Sequence, residues 1–245
     1  MLHDYSLDSL VERICRQWEA KRRSQQARAT SSAELPPRFT IAVERQAGVL
    51  GTSIARAVGQ RLGWQVYDHE LLERIAQEMG LRATLLESVD EHHASWLREV
   101  SHHLMLLPSI NENAYLQHLV GVVLALGAHG ECIIVGRGAS EILPPETTLR
   151  VFLIAPKEAR LATIRQQQGL DDRAARKRLK AVDRERVAFV RESFHKDPTD
   201  PANYDLVLNT ARYTLDETAE LIIEGLRRVQ SRTAVPNARR AEVVR

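Results

Sequence analysis

Apolar residues first recur at helical spacing at Leu7, Leu10, Val11, Ile14 and Trp18, which predicts a helix over residues 7–24 with Ser6 as candidate cap. The polar, proline-containing run SQQARATSSAELPPR then reads as a linker. At FTIAVER, residues 39–45, the pattern becomes a β-branched apolar run without alternation, as expected of a strand buried on both faces of a parallel sheet. That run leads straight into a glycine-containing turn, after which Ile54, Val58 and Leu62 restore the helical period up to Gly63. WQVYD predicts a short strand ending at Asp68, residues 69–105 several helices, and residues 113–128 a long apolar helix. ECIIVGRG and LRVFLIAP (residues 149–156) are two further apolar strands, joined by ASEILPPETT as a crossover loop. From Pro156 to about residue 195 the chain reads as helical and heavily charged. YDLVLNT (residues 204–210) is the last strand and TLDETAELIIEGLRRV the closing helix, followed by a basic tail that reads as disordered. Strands alternating with helices indicate a three-layer α/β fold.

The 245 residues suffice for one well-buried domain. With 34 Lys+Arg against 32 Asp+Glu, the formal charge of +2 supplies no overall field for nucleic acid or a membrane surface. Any phosphate site must therefore be local. Cys15 and Cys132 are the only cysteines, so a disulfide framework and a Cys-rich zinc site are both excluded. No apolar block has the length of a signal peptide or a spanning helix, and the expected location is cytoplasmic. The expected layout is an N-terminal helix and linker over 1–38, a domain over 39–230 and a basic tail over 231–245.

A turn joining a buried strand to a helix aims backbone N–H groups at an anion, which makes residues 46–53 the first candidate site. Measured against the phosphate-loop pattern Gly-x-x-x-x-Gly-Lys-[Ser/Thr], Gly51 and Ser53 match, Gln46 stands at the first glycine and Thr52 at the lysine. Arg137 is held between two glycines at a strand's C-terminal end, where α/β sheets gather ligand contacts. Its planar fork suits a phosphate, and a structural salt bridge is the alternative. His92, His93, His102 and His103 show no convergence that would make a metal site.

Three segments in order resemble the cytidylate kinase-like family: TIAVERQAGVLGTSIARAVGQRLGWQVYDHELLERIAQE, ECIIVGRGASEILPPETTLRVFLIAPKEAR, and VDRERVAFVRESF followed by YDLVLNTARYTLDE. The resemblance implies a P-loop kinase fold with a parallel sheet, a helical monophosphate-binding insertion (about 68–110) and a helical lid (about 165–197). It further implies ATP with Mg²⁺, the donor phosphates lying against Gly48, Gly51, Thr52 and Ser53, and the Ser53 hydroxyl on the metal. Arg45 is the nearest cation to replace the loop lysine, unless it is a salt-bridged surface residue. Asp68 and Arg74 match the family's Asp and Arg six apart, with a helix cap and a surface arginine as the alternatives. Asp183 and Arg186 resemble its pyrimidine-recognising and phosphate-gripping pair; Arg173, Arg184 and Arg191 are further lid cations. Gly138 stands where the family usually has Asp. The implied reaction transfers a phosphoryl group from ATP to CMP, dCMP or a similar nucleoside monophosphate, with Arg137, Arg45 and Arg186 as catalytic cations. The alternative is a nucleotide-binding module with little or no activity, serving as sensor or partner-docking protein. A nucleic-acid partner is disfavoured by the charge balance, and the N-terminal helix could pack on the domain or pair two copies as a homodimer.

Overall fold

The protein is described by a computed structural model over residues 38–73 and 114–233. The expected N-terminal helix and linker, Arg74 with the rest of the expected insertion, the four histidines at 92–103, and the residues from 234 expected as a tail lie outside the described residues. Strand β1 (Thr40–Arg45) is buried along all six residues. It is followed by α1 (Gly51–Leu62), β2 (Gln65–Tyr67), α2 (Ala114–His129), β3 (Cys132–Val135), α3 (Ala139–Ile142) and β4 (Thr148–Ile154). The chain continues through α4 (Lys157–Gln168), α5 (Asp172–Phe194), β5 (Leu206–Asn209) and α6 (Leu215–Thr233).

All pairings are parallel, in the order β2-β3-β1-β4-β5. The central position of β1 explains its apolar run: with β3 and β4 on either side and a helical layer over each face, every residue of it is buried. On one face Ile41, Val43, Ile133, Val135, Leu149 and Val151 pack with Ile54 and Val58 of α1 and Ile222 and Leu226 of α6. On the other, Thr40 Oγ1 lies 4.0 Å from Cys132 Sγ, which donates to the Leu126 carbonyl of α2 at 3.6 Å. This is the expected three-layer α/β P-loop kinase arrangement. Among the described residues no helix is long and apolar enough to cross a membrane.

Three boundaries differ from the sequence reading. Residues 139–142 form a short helix rather than loop, because the Gly138 carbonyl accepts the Glu141 and Ile142 N–H groups. The charged stretch after Pro156 is two helices: Gly169 ends α4 in the left-handed conformation and Asp171 caps α5, accepting the Ala174 N–H at 2.7 Å. The closing helix runs on to Thr233 and so takes up the first residues assigned to the basic tail.

Candidate functional site

The turn leaving β1 is anchored before any ligand is considered. Gln46 donates its N–H to the Leu153 carbonyl at 3.0 Å, and its side-chain oxygen accepts the Ala155 N–H at 3.2 Å, so the residue at the first-glycine position ties the loop to the end of β4. Ala47 packs with Leu161 and Ile164 of α4 and Ala175 and Leu179 of α5. Its N–H donates to Asp183 Oδ1 at 2.7 Å, while Arg160 Nη1 donates to Asp183 Oδ2 at 2.6 Å and to the Ala47 carbonyl at 3.3 Å. Gly48 turns the chain against the Arg160 carbonyl. Helix α1 then starts after Leu50, which has no capping side chain, and its first turn contains no acid. Thr52 is half-buried and Ser53 exposed in that turn, where N–H groups lack intrahelical acceptors.

Beneath this loop three guanidinium groups gather at the C-terminal ends of β1 and β3. Arg45 is only 8% exposed. Its stem lies across Gly51, where an added Cβ would come 2.9 Å from Arg45 Cγ, and its guanidinium crosses Gly136, where a Cβ would collide with Nη1. The two glycines thus form the channel that admits the side chain. No described carboxylate forms an ion pair with it. Burial lowers its pKa, with the Arg137 charge acting the same way, against the opposing pull of Glu44 and Asp68. Arg186, reaching in from α5, donates through Nη1 to the Arg45 carbonyl at 3.0 Å; burial, and next the Arg45 charge, bring its pKa down to about 10. Arg137 holds a left-handed backbone at φ 55°, pairs with the Glu73 carboxylate and lies 5.3 Å from the Phe189 ring centroid. Burial, against the Arg137 charge and with that of Glu73, raises the pKa of the neighbouring Tyr115.

The salt-bridge alternative for Arg137 is therefore realised, yet its Nε stays buried without a partner and its backbone sits where few non-glycine residues do. For Asp68 the cap alternative is realised: Oδ1 accepts the Leu71 N–H at 3.1 Å, and Oδ2 lies 3.5 Å from Arg56. Asp183 engages the loop and Arg160 in this conformation. Arg191 pairs with Asp197 at 2.9 Å, and Arg173 and Arg184 are exposed on α5. The arrangement thus brings Arg45, Arg137 and Arg186 together, beside the turn that leaves β1.

Four residues at the site were not singled out from sequence. Glu44, buried on β1, leaves Oε1 without a partner; burial raises its pKa, against Arg45, Arg186 and the Gly138 N–H. A carboxylate inside an apolar strand was the available signal. Arg160 and Glu73 lie on charged helical stretches whose facing the sequence does not reveal. His69, next to Asp68, has a buried Nδ1 without a partner; burial, then Arg45 and Arg137, lower its pKa.

Known proteins are similar to this chain in sequence and in fold. The sequence model described as the cytidylate kinase-like family matches residues 40–212. A cytidylate kinase from Methanopyrus kandleri is 28% identical over 172 residues, covering 70% of this chain and 84% of that protein. The crystal structure of an uncharacterized protein from Eubacterium ventriosum is similar with a TM-score of 0.61 at 20% identity, covering 78% of this chain and 99% of that one, which establishes the shared fold.

Proposed function

Because the chain belongs to the cytidylate kinase-like family, we propose that it transfers the terminal phosphoryl group of ATP to CMP, dCMP or a similar nucleoside monophosphate. Membership makes it a kinase-like nucleotide-binding protein; the acceptor and the roles of individual residues are our reading. The observation that carries this reading is the convergence of Arg45, Arg137 and Arg186 beside the phosphate loop, with Arg45 buried and in no ion pair among the described residues. A desolvated cation costs stability unless an anion joins it, and a phosphate supplies that anion.

In this reading the N–H groups around Gly48, Gly51, Thr52 and Ser53 receive the donor phosphates. Arg45 supplies the positive charge that Thr52 lacks, from beneath the loop rather than from the helix. Asp68, Arg74, Arg137 and the Asp183/Arg186 pair bind the acceptor, whose phosphate oxygen attacks the γ-phosphorus as the bond to the ADP oxygen breaks. Phosphoryl transfer needs alignment and charge neutralisation more than covalent help, and guanidinium groups provide both. Among the described residues no three His, Cys, Asp or Glu side chains form a metal cluster. The chain's offering to Mg²⁺ is the Ser53 hydroxyl in the first turn of α1, which fits an ion that keeps most of its shell as water and phosphate. When bound, the ion neutralises charge on the donor phosphates.

The test is ADP release in a coupled assay with CMP, dCMP, UMP and AMP as acceptors. Turnover with one of them, lost in Arg137→Ala, supports the proposal; no turnover above that control refutes it. A second reading, a nucleotide-binding module without transfer, is favoured by Thr52 at the lysine position and by the Asp183 carboxylate already occupying the Ala47 N–H. Tight nucleotide binding by calorimetry without ADP release would select it.

A further inference from the structure

His69 lies two residues past β2, after Asp68, and opens the helical segment over residues 69–73. Its ring is half-buried, and its Nδ1 is sealed from solvent with no hydrogen-bond partner. A buried imidazole nitrogen without a partner is uncommon, because each such atom costs a lost hydrogen bond. The charged groups that act on the ring come from three elements. The C-terminal ends of β2, β3 and β1 lie side by side in the sheet, so the charges of Arg45 and Arg137 act on the ring, while Asp68 and Glu70 flank it in the chain, with Nε2 at 4.0 Å from Glu70 Oε1. Asp68 is already engaged as a helix cap, and Arg137 with Glu73. The imidazole therefore stands under the charge of two guanidinium groups with one unused ring atom.

We propose that His69 is a proton-accepting contact for the acceptor's phosphate, neutral in the ligand-free protein and protonated once a phosphate-monoester dianion lies among Arg45, Arg137 and the imidazole. The inference rests on the proposed monophosphate site and adds to it a coupling between binding and proton uptake. The physical cause is a reversal of local charge. Without ligand, burial and two guanidinium groups disfavour the imidazolium and hold its pKa below 6.5. A dianion at the same place outweighs the guanidinium charges and favours it. The proton is taken from solvent at the imidazole, and no bond of the nucleotide changes. The sign follows: between the lowered free value and the raised bound value, binding takes up a proton. In that window affinity falls as pH rises, by a factor approaching roughly tenfold per pH unit for one linked proton.

The experiment is titration calorimetry of the full chain with CMP in buffers of contrasting ionisation enthalpy, comparing the natural protein with His69→Gln and with cytidine as the phosphate-free control. CMP binding that takes up protons in the natural protein, less uptake in His69→Gln, and none with cytidine support the inference. Equal proton uptake in the two proteins overturns it while leaving the monophosphate site standing. Failure of CMP to bind either protein removes the site and the inference with it. A second measurement needs no variant: the His69 imidazole resonance of the natural protein, titrated by NMR, must report a higher pKa with CMP than without, and an unchanged value overturns the proposal.

Discussion

Replacing Arg45 by methionine separates what this side chain does for the fold from what it does for a ligand. Methionine is close in length and keeps the apolar stem in the channel between Gly51 and Gly136, but it removes the charge. In the ligand-free protein that charge is a burden. Arg45 is 8% exposed, burial lowers its pKa, and no described carboxylate pairs with it. Substituting apolar groups for buried charges of similar volume is often stabilising by about 1–4 kcal/mol. Glu44 and Asp68 offset part of the burden here and lose that support in the variant, so the lower part of the range applies, about 1–2 kcal/mol. For a domain of this size that raises the melting temperature by about 3–6 °C. The ligand term has the opposite sign. A hydrogen bond to a charged group contributes about 1.5–3 kcal/mol, so losing it weakens nucleotide binding or kcat/KM by roughly 10- to 150-fold. The assay is differential scanning fluorimetry with and without CMP and ATP, alongside ADP release. Arg45→Met should melt higher than the natural protein without nucleotide, gain less from nucleotide, and release ADP more slowly. If it melts lower and responds to nucleotide as before, Arg45 is a structural residue and the electrostatic reasoning fails.

Gly136→Ala forces a methyl onto Arg45 Nη1 at a residue with φ +81°, and should lower unfolding free energy in urea by about 2–4 kcal/mol. Part of the nucleotide response should go with it, because the guanidinium must shift. Asp183→Asn leaves Arg160, 11% exposed, without its carboxylate, and should cost about 1–3 kcal/mol by chemical denaturation. Unchanged stability would mean that the tie between α5 and the loop is not formed in solution. Asp197 titrates at about 2, held down first by the Thr199 hydroxyl and N–H and then by Arg191. Its stabilisation is complete above the ordinary carboxylate value of 3.8 and is lost as pH falls through about 2. Thr199→Val should raise this pKa in an NMR titration; an unchanged value would show that the Thr199 hydroxyl does not hold the carboxylate down.

Much of the architecture was legible because it depends on local chemistry. A β1 segment with no alternation could only be a doubly covered strand, and a helix period resuming after Gly51 placed the loop between them. The candidate cations Arg45, Arg137 and Arg186 were nameable because two end or follow apolar strands and one matched a family motif. Which alternative each residue follows was not legible. Arg137 meets Glu73 only because β2 and β3 are neighbours in the sheet, although Tyr67 and its partner Ile134 are far apart in the chain.

The amino-acid order alone determined the alternation of elements, the position of the loop and the absence of a lysine from it, since propensity, period and residue identity act over a few positions. Tertiary structure decided that Arg45 is buried beneath that loop, that Asp183 and Arg160 tie α5 to Ala47, and that Glu44 and His69 come under the charge of Arg45. Charge interactions and desolvation depend on distance in space and on exclusion of water. Neither exists until the strands are laid side by side and the helices close over them.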